Sequence, residues 1–155
     1  MKKKILFILL SAAVLASCSN KKEAQPNDTT DVRSQTNSVD LRGKWNLENI
    51  VFNDTTYIRP SEETPDVHQY VTFDDSTFCI QTNCNMIQGE YRIIGDSISF
   101  PVTFMTEMAC DNMATEDALR KILPDIVAVD VQNDSMARLC GRIPAECIML
   151  VKAKD

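Results

Sequence analysis

Apolar residues recur along this chain at two periods, and the change of period marks out the elements. From residue 40 onward the spacing is mostly two. Trp45, Leu47 and, less strictly, Ile50 predict a first strand. Residues 69–74 alternate with Val71 and Phe73 on one face, Asp74-Asp75-Ser76 reads as a turn, and residues 77–82 read as the return strand. Residues 86–94 predict another strand, Gly95-Asp96 turns the chain, and Ile98 and Phe100 alternate in the next. Val127, Val129 and Val131 put one face on a strand over 125–132. Asn133-Asp134-Ser135 turns again, and residues 136–140 and 147–152 predict a final hairpin.

One segment follows the helical period instead. Over 115–123, Ala118, Leu119, Ile122 and Leu123 form one stripe, with Glu116 and Asp117 in the first turn and Arg120 and Lys121 in the last. Thr115 is the expected cap and Pro124 the expected stop. The expected fold is mainly β (α+β): a small antiparallel half-open β-barrel with one α-helix packed against it.

The N-terminus has a pattern of its own. Lys2, Lys3 and Lys4 precede an uncharged apolar run over residues 5–16, which at 12 residues is shorter than the roughly 20 a spanning helix needs. That is the length of a signal-peptide core. Leu15-Ala16-Ser17-Cys18 has the form of a lipobox, an apolar residue and two small ones before a cysteine whose thiolate accepts diacylglycerol. Residues 1–17 are therefore expected to be a lipoprotein signal peptide and Cys18 the acylated N-terminus. Residues 19–39 hold almost no large apolar side chain and cannot offset the entropy of ordering, so 18–39 reads as a lipidated flexible tether and 40–155 as the folded domain. At roughly 5–6 Å × √n, such a tether keeps the domain a few nanometres from the bilayer.

Charge changes the picture of partners. The signal carries three lysines and no acid, so removing it moves the net charge from −6 to about −9. An acidic domain does not suit nucleic acid or anionic lipid, and no nucleic-acid partner is expected. Attachment then falls to the acyl chains, of which stable binding needs two or more. Ser19 lacks the acidic character of an inner-membrane retention residue, which favours the outer membrane, facing the periplasm.

Export makes disulfides the default reading of the six cysteines. With Cys18 used by lipid, Cys79, Cys84, Cys110, Cys140 and Cys147 remain, an odd number. No C-x-x-C occurs, so a thioredoxin-like reading lacks its motif.

The middle of the chain resembles a known family. Cys84-Asn85-Met86-Ile87-Gln88-Gly89-Glu90-Tyr91 looks like the C-N-x-x-x-G-x-Y element of the META/HslJ-type domain, and Thr106-Glu107-Met108-Ala109-Cys110 like its T-x-M-A-C element. Leu41, Gly43, Trp45 and Leu47 resemble its opening strand, and the helix with Glu116 follows at the matching distance, so the resemblance covers about 40–152. It implies a small β-barrel-like domain with a helix against it, and roles in stress response, envelope integrity or motility. It brings no enzymatic activity and no defined ligand. Asn83 replaces a frequent glycine; asparagine tolerates positive φ, so a tight turn is expected to survive. Arg138 stands where the family places an apolar residue, and Cys79, Cys140 and Cys147 lie outside its pattern.

The motif residues have their own physical readings. Cys84 and Cys110 are the best disulfide candidates; closing their loop is worth about 3–3.5 kcal/mol in the chain-entropy model. A redox pair or soft-metal site is the alternative. Cys140 and Cys147 can pair across the last hairpin, with Cys79 competing for either. Asn85 is expected to hold a turn through its amide and Gly89 to allow a bend or bulge. Met86, Met105, Met108 and Met113 gather around the motifs; they read as core filling, with copper(I) binding as the alternative. His68 is the single histidine and has no spaced partner for a zinc site or triad. Asp74 and Asp75 read as solvated turn residues, with calcium binding as the alternative. No cofactor and no metal are expected.

The expected function is that of a non-enzymatic cell-envelope lipoprotein, in stress response or assembly, acting through contacts with an envelope protein. The alternative is a carrier of a small apolar ligand in the barrel mouth, which requires a cavity of several hundred Å3.

Overall fold

The computed structural model describes residues 39–52, 56–63 and 66–154. The signal peptide, Cys18 and the tether over 19–38 lie outside the described residues.

Among the described residues, nine strands form one antiparallel sheet, and eight of them close it. They are β1 (Gly43–Phe52), β2 (Thr56–Ile58), β3 (Tyr70–Phe73), β4 (Thr77–Gln81), β5 (Met86–Ile94), β6 (Ser97–Met105), β7 (Ile126–Gln132), β8 (Met136–Gly141) and β9 (Cys147–Lys152). Each pairs with the next around the ring from β3 to β9. β1 closes it, holding β3 through Gly43 to Asn46 and β9 through Trp45 to Val51. The extra strand β2 pairs with the far end of β1, at Ile50 to Phe52. A short helix α1 (Pro60–Glu63) follows β2, and α2 (Ala114–Ile122) runs into a 3-10 turn, Leu123–Asp125, ahead of β7. The architecture is a closed eight-stranded antiparallel barrel with one added strand and a helix against it. It is thus more closed than the half-open form read from the sequence.

Its closure is uneven. β6 and β7 meet at a single register pair, Ser97 with Ala128, beside a bond from the Val129 N–H to the Asp96 carbonyl. Beyond it the two strands part. From Val102 to Met105, β6 pairs only with β5.

Side chains fill the interior. Trp45, Ile50, Phe73, Ile87, Ile148 and Leu150 are among the most buried, as the alternation of strands around a small barrel requires. Bulges correct that alternation. A register shift between Leu47 and Asn49 lets both Leu47 and Ile50 point inward, which is why Ile50 fits a strict period of two poorly. Another shift between Ile126 and Ala128 buries Ile126 with Val129, and takes Val127 off the face it was expected to share with Val129 and Val131.

α2 lies across one end of the barrel. Ala118, Leu119, Ile122 and Leu123 are buried there as the stripe predicts. Lys121 sits over the Phe52 ring at the end of β1, 4.8 Å from its centroid, while Arg120 reaches Met105 at the end of β6. Two local expectations are corrected. The helix starts one residue earlier, with Met113 at the N-cap and no side-chain cap bond; Thr115 is fully buried and its hydroxyl donates to Glu63 Oε2 on α1 instead. Pro124 does not stop the chain outright, because the 3-10 turn accommodates it near its first position.

Candidate functional site

The two sequence motifs meet in space. Cys84 is bonded to Cys110, with a Cα–Cα distance of 6.2 Å. Next to the bridge, the fully buried Asn85 side chain docks on the backbone of the other motif. Its Nδ2 donates to the Met108 carbonyl at 3.0 Å, and its Oδ1 accepts from the Met108 N–H and the Thr106 hydroxyl, both at 2.8 Å. The Thr106 hydroxyl also accepts from the Met86 N–H at 3.0 Å. Asn85 thus acts between segments rather than within its own turn. Asn83 is not at positive φ; it donates from its amide to the Asn112 carbonyl at 3.1 Å, which also ties its turn to the second motif.

Two further buried residues complete the network: Thr82, which the sequence did not single out, and Glu116, which it placed in the first turn of the helix. Glu116 on α2 has no solvent exposure. Its Oε1 accepts from the Thr82 hydroxyl at 2.5 Å and from the Asn85 N–H at 3.1 Å, while Oε2 has no partner among the described residues. Thr82 Oγ1 accepts in turn from the Asn85 N–H at 2.9 Å. In the sequence Glu116 reads only as a first-turn acid that favours the helix N-terminus. Its position three residues before Leu119, on the margin of the apolar stripe, was the available signal.

Gly89 and Tyr91 have separate tasks. A Cβ at Gly89 would collide with the Val102 carbonyl and lie 2.8 Å from its carbon, so β5 approaches β6 there with no room for a side chain. The register shift in this pair falls just beyond it, between Glu90 and Arg92. At that shift Tyr91 packs edge-on to Phe73, with ring centroids 5.1 Å apart, and its hydroxyl donates to the Asp74 carbonyl at 2.5 Å. Burial raises the pKa of this phenol.

The remaining candidates disperse. Cys140 is bonded to Cys147 across β8 and β9. Among the described residues Cys79 has no disulfide partner; it is half-buried, and desolvation raises its pKa. With Cys84 and Cys110 in a disulfide, the soft-metal alternative loses its thiolates, and Met108 is exposed. Met105 lies against Arg120. His68, Asp74 and Asp75 are exposed. Arg138 is half-buried on β8, facing Asp130 and Met149 in the register, and its Nε has no partner.

The network positions the rim around α2. Between the free stretch of β6 and the end of α2 lies a cleft of about 420 Å3. Phe100, Pro101, Phe104, Met105, Leu123 and Pro124 supply its apolar walls, with Arg120 and Glu107 as its charged groups. The barrel interior holds side chains, so the space required by the ligand-carrier alternative lies at this rim rather than inside the mouth.

A closed antiparallel barrel, stoppered by a helix that a Cys-Asn turn and a Thr-x-Met-Ala-Cys segment hold in place, defines the class of domain. A sequence profile of the META domain matches residues 35–144, and the chain belongs to the META domain family. No curated protein sequence matches the chain. Among solved structures, it is similar to a protein from Burkholderia xenovorans determined by NMR, at 20% identity and a TM-score of 0.60 over 72% of this chain and 82% of that one. It is also similar to a duf4847 family protein from Bacteroides vulgatus ATCC 8482, at 13% identity and a TM-score of 0.52 over 73% of this chain and 94% of that one. At these identities the likeness concerns the fold alone.

Proposed function

We propose that this META-domain protein is a non-enzymatic cell-envelope lipoprotein. It is held by acyl chains on Cys18, on the periplasmic face of the outer membrane, and acts in stress response or envelope assembly by binding another envelope protein. The observation that carries the reading joins sequence to structure: a lipobox ending at Cys18 precedes a domain braced by two disulfides, Cys84–Cys110 and Cys140–Cys147. Disulfides persist in oxidising compartments, so the bridges support the same destination as the signal. The strongly acidic composition leaves attachment to the lipid rather than to the domain surface.

Cross-linking in cells followed by mass spectrometry, comparing the wild type with Cys18→Ala, tests this reading. It predicts an envelope protein cross-linked to the wild type and lost from the variant. The same cross-links with and without Cys18 would remove the anchor from the account.

A further inference from the structure

We propose that the free edge of β6 and the adjoining α2 rim form a binding site for an extended apolar peptide segment carrying a carboxylate, which adds to the barrel as a further strand. This rests on the reading of the protein as one that acts through protein contacts, and it names the surface and the chemistry of the partner.

The Thr106 N–H donates to the Met86 carbonyl at 3.0 Å. In an antiparallel ladder, hydrogen-bonded and non-bonded pairs alternate. With Ile87 opposite Met105 and Gly89 opposite Thr103, the N–H and C=O groups of Thr103 and Met105 therefore face away from β5. β7 has already departed, since its register with β6 contains only Ser97 and Ala128. Among the described residues, no backbone or side-chain group bonds to these outward groups of Thr103 and Met105. An unpaired edge of this kind is a template for another strand.

The side chains select what joins it. Thr103 and Met105 line the 420 Å3 cleft together with Phe104, which is 64% exposed, and Pro101, Leu123 and Pro124. These are walls for alternate apolar side chains of an added strand. Arg120 is the cation of the cleft, and its Nη2 rests 3.0 Å from the Met105 sulfur. Among the described residues no carboxylate pairs with it, Glu107 in the same cleft included. A guanidinium beside free strand N–H groups complements a carboxylate on the incoming segment. A second copy of this chain is disfavoured by self-repulsion, because the net charge is already −6 before the lysine-rich signal is removed.

The test uses the purified full chain and a fluorescein-labelled seven-residue peptide of alternating threonine and valine ending in a free isoleucine carboxylate. Fluorescence anisotropy is expected to show saturable binding. Arg120→Gln weakens it by about tenfold. Amidating the peptide weakens it by the same factor on the wild type and by nothing further on Arg120→Gln. Thr103→Pro, which deletes an outward N–H at an edge where proline is tolerated, removes binding. If that variant fails to fold, hydrogen exchange in the wild type decides instead, with the Thr103 and Met105 amides slowing when peptide is added. Absence of saturable binding would overturn the proposal. So would binding indifferent to both substitutions, or exchange at Thr103 and Met105 unchanged by bound peptide. Uptake of dodecanoate without uptake of the peptide would make the cleft a small-ligand site and sink the strand-addition claim. None of these results depends on acylation of Cys18, so failure here leaves the anchoring reading standing.

Discussion

Asn85 joins its own turn to backbone and hydroxyl groups 21 and 23 residues away. Truncating it removes the partners of the Met108 N–H and carbonyl and of the Thr106 hydroxyl in a half-buried setting, and each lost hydrogen bond costs about 0.5–1.5 kcal/mol. Asn85→Ala is expected to lower stability by about 3 kcal/mol in chemical denaturation; a loss below about 1 kcal/mol would mean that the amide carries little of the contact between the motifs. Gly89→Ala places a methyl against the β6 backbone and is expected to cost at least about 2 kcal/mol in the same assay, although alanine costs little in an open strand. At the opposite extreme of burial, the Arg42 guanidinium beside Asp40 holds its carboxyl down to about 2. A lowered folded pKa stabilises above the unfolded value, and that contribution is lost as pH falls through the folded one. The pair is exposed and two residues apart, so its effect on stability is small. The prediction is local: Arg42→Gln returns the Asp40 titration toward 3.8, read from its carboxyl carbon by NMR. Among individual residues, the cysteines and Asn85 were legible because a motif flagged them. Glu116 and Thr82 were not. Polar residues read as solvated until a fold buries them, and their partners lie 34 positions apart.

At the scale of elements, hydrophobic alternation located the eight barrel strands because each exposes one face to a filled interior. What it left out was the bulges. A single inserted residue shifts the inward set, as between Leu47 and Ile50 and between Ile126 and Val129, and periodicity averages over it. The short β2 and α1 carry too few residues for a period to declare itself. α2 was legible as a stripe, but its place as a stopper across the barrel end was not, since a stripe says that a helix packs and not where. Its anchoring gives a measurable ranking. The Cys84–Cys110 bridge spans 26 positions and Cys140–Cys147 spans 7, so loop-closure entropy assigns about 3.5 kcal/mol to the first and about 2.4 kcal/mol to the second. Serine pairs replacing each bridge are expected to preserve that order in denaturant midpoints; the reverse order would mean that the hairpin bridge holds more than its own turn. Leu119→Ala, at a position with no solvent exposure, is expected to cost about 2–5 kcal/mol.

For the whole molecule, two features set the functional account. Among the described residues, the barrel seam opens between β6 and β7, leaving a strand edge beside an apolar rim and an arginine with no carboxylate partner. The proposed address rests on the N-terminal sequence, with its lipobox ending at Cys18. The family was legible from two short motifs in the right order, while the cleft was not, because it depends on where β7 parts from β6. The central claim is that the domain is delivered to a membrane by lipid on Cys18, and the most direct measurement is the mass of the N-terminal peptide of the protein isolated from its own cells. The expected product is a chain that begins at Cys18, lacks residues 1–17 and carries at least two acyl chains. A chain that retains Met1, or one cleaved elsewhere with an unmodified Cys18 thiol, would contradict it.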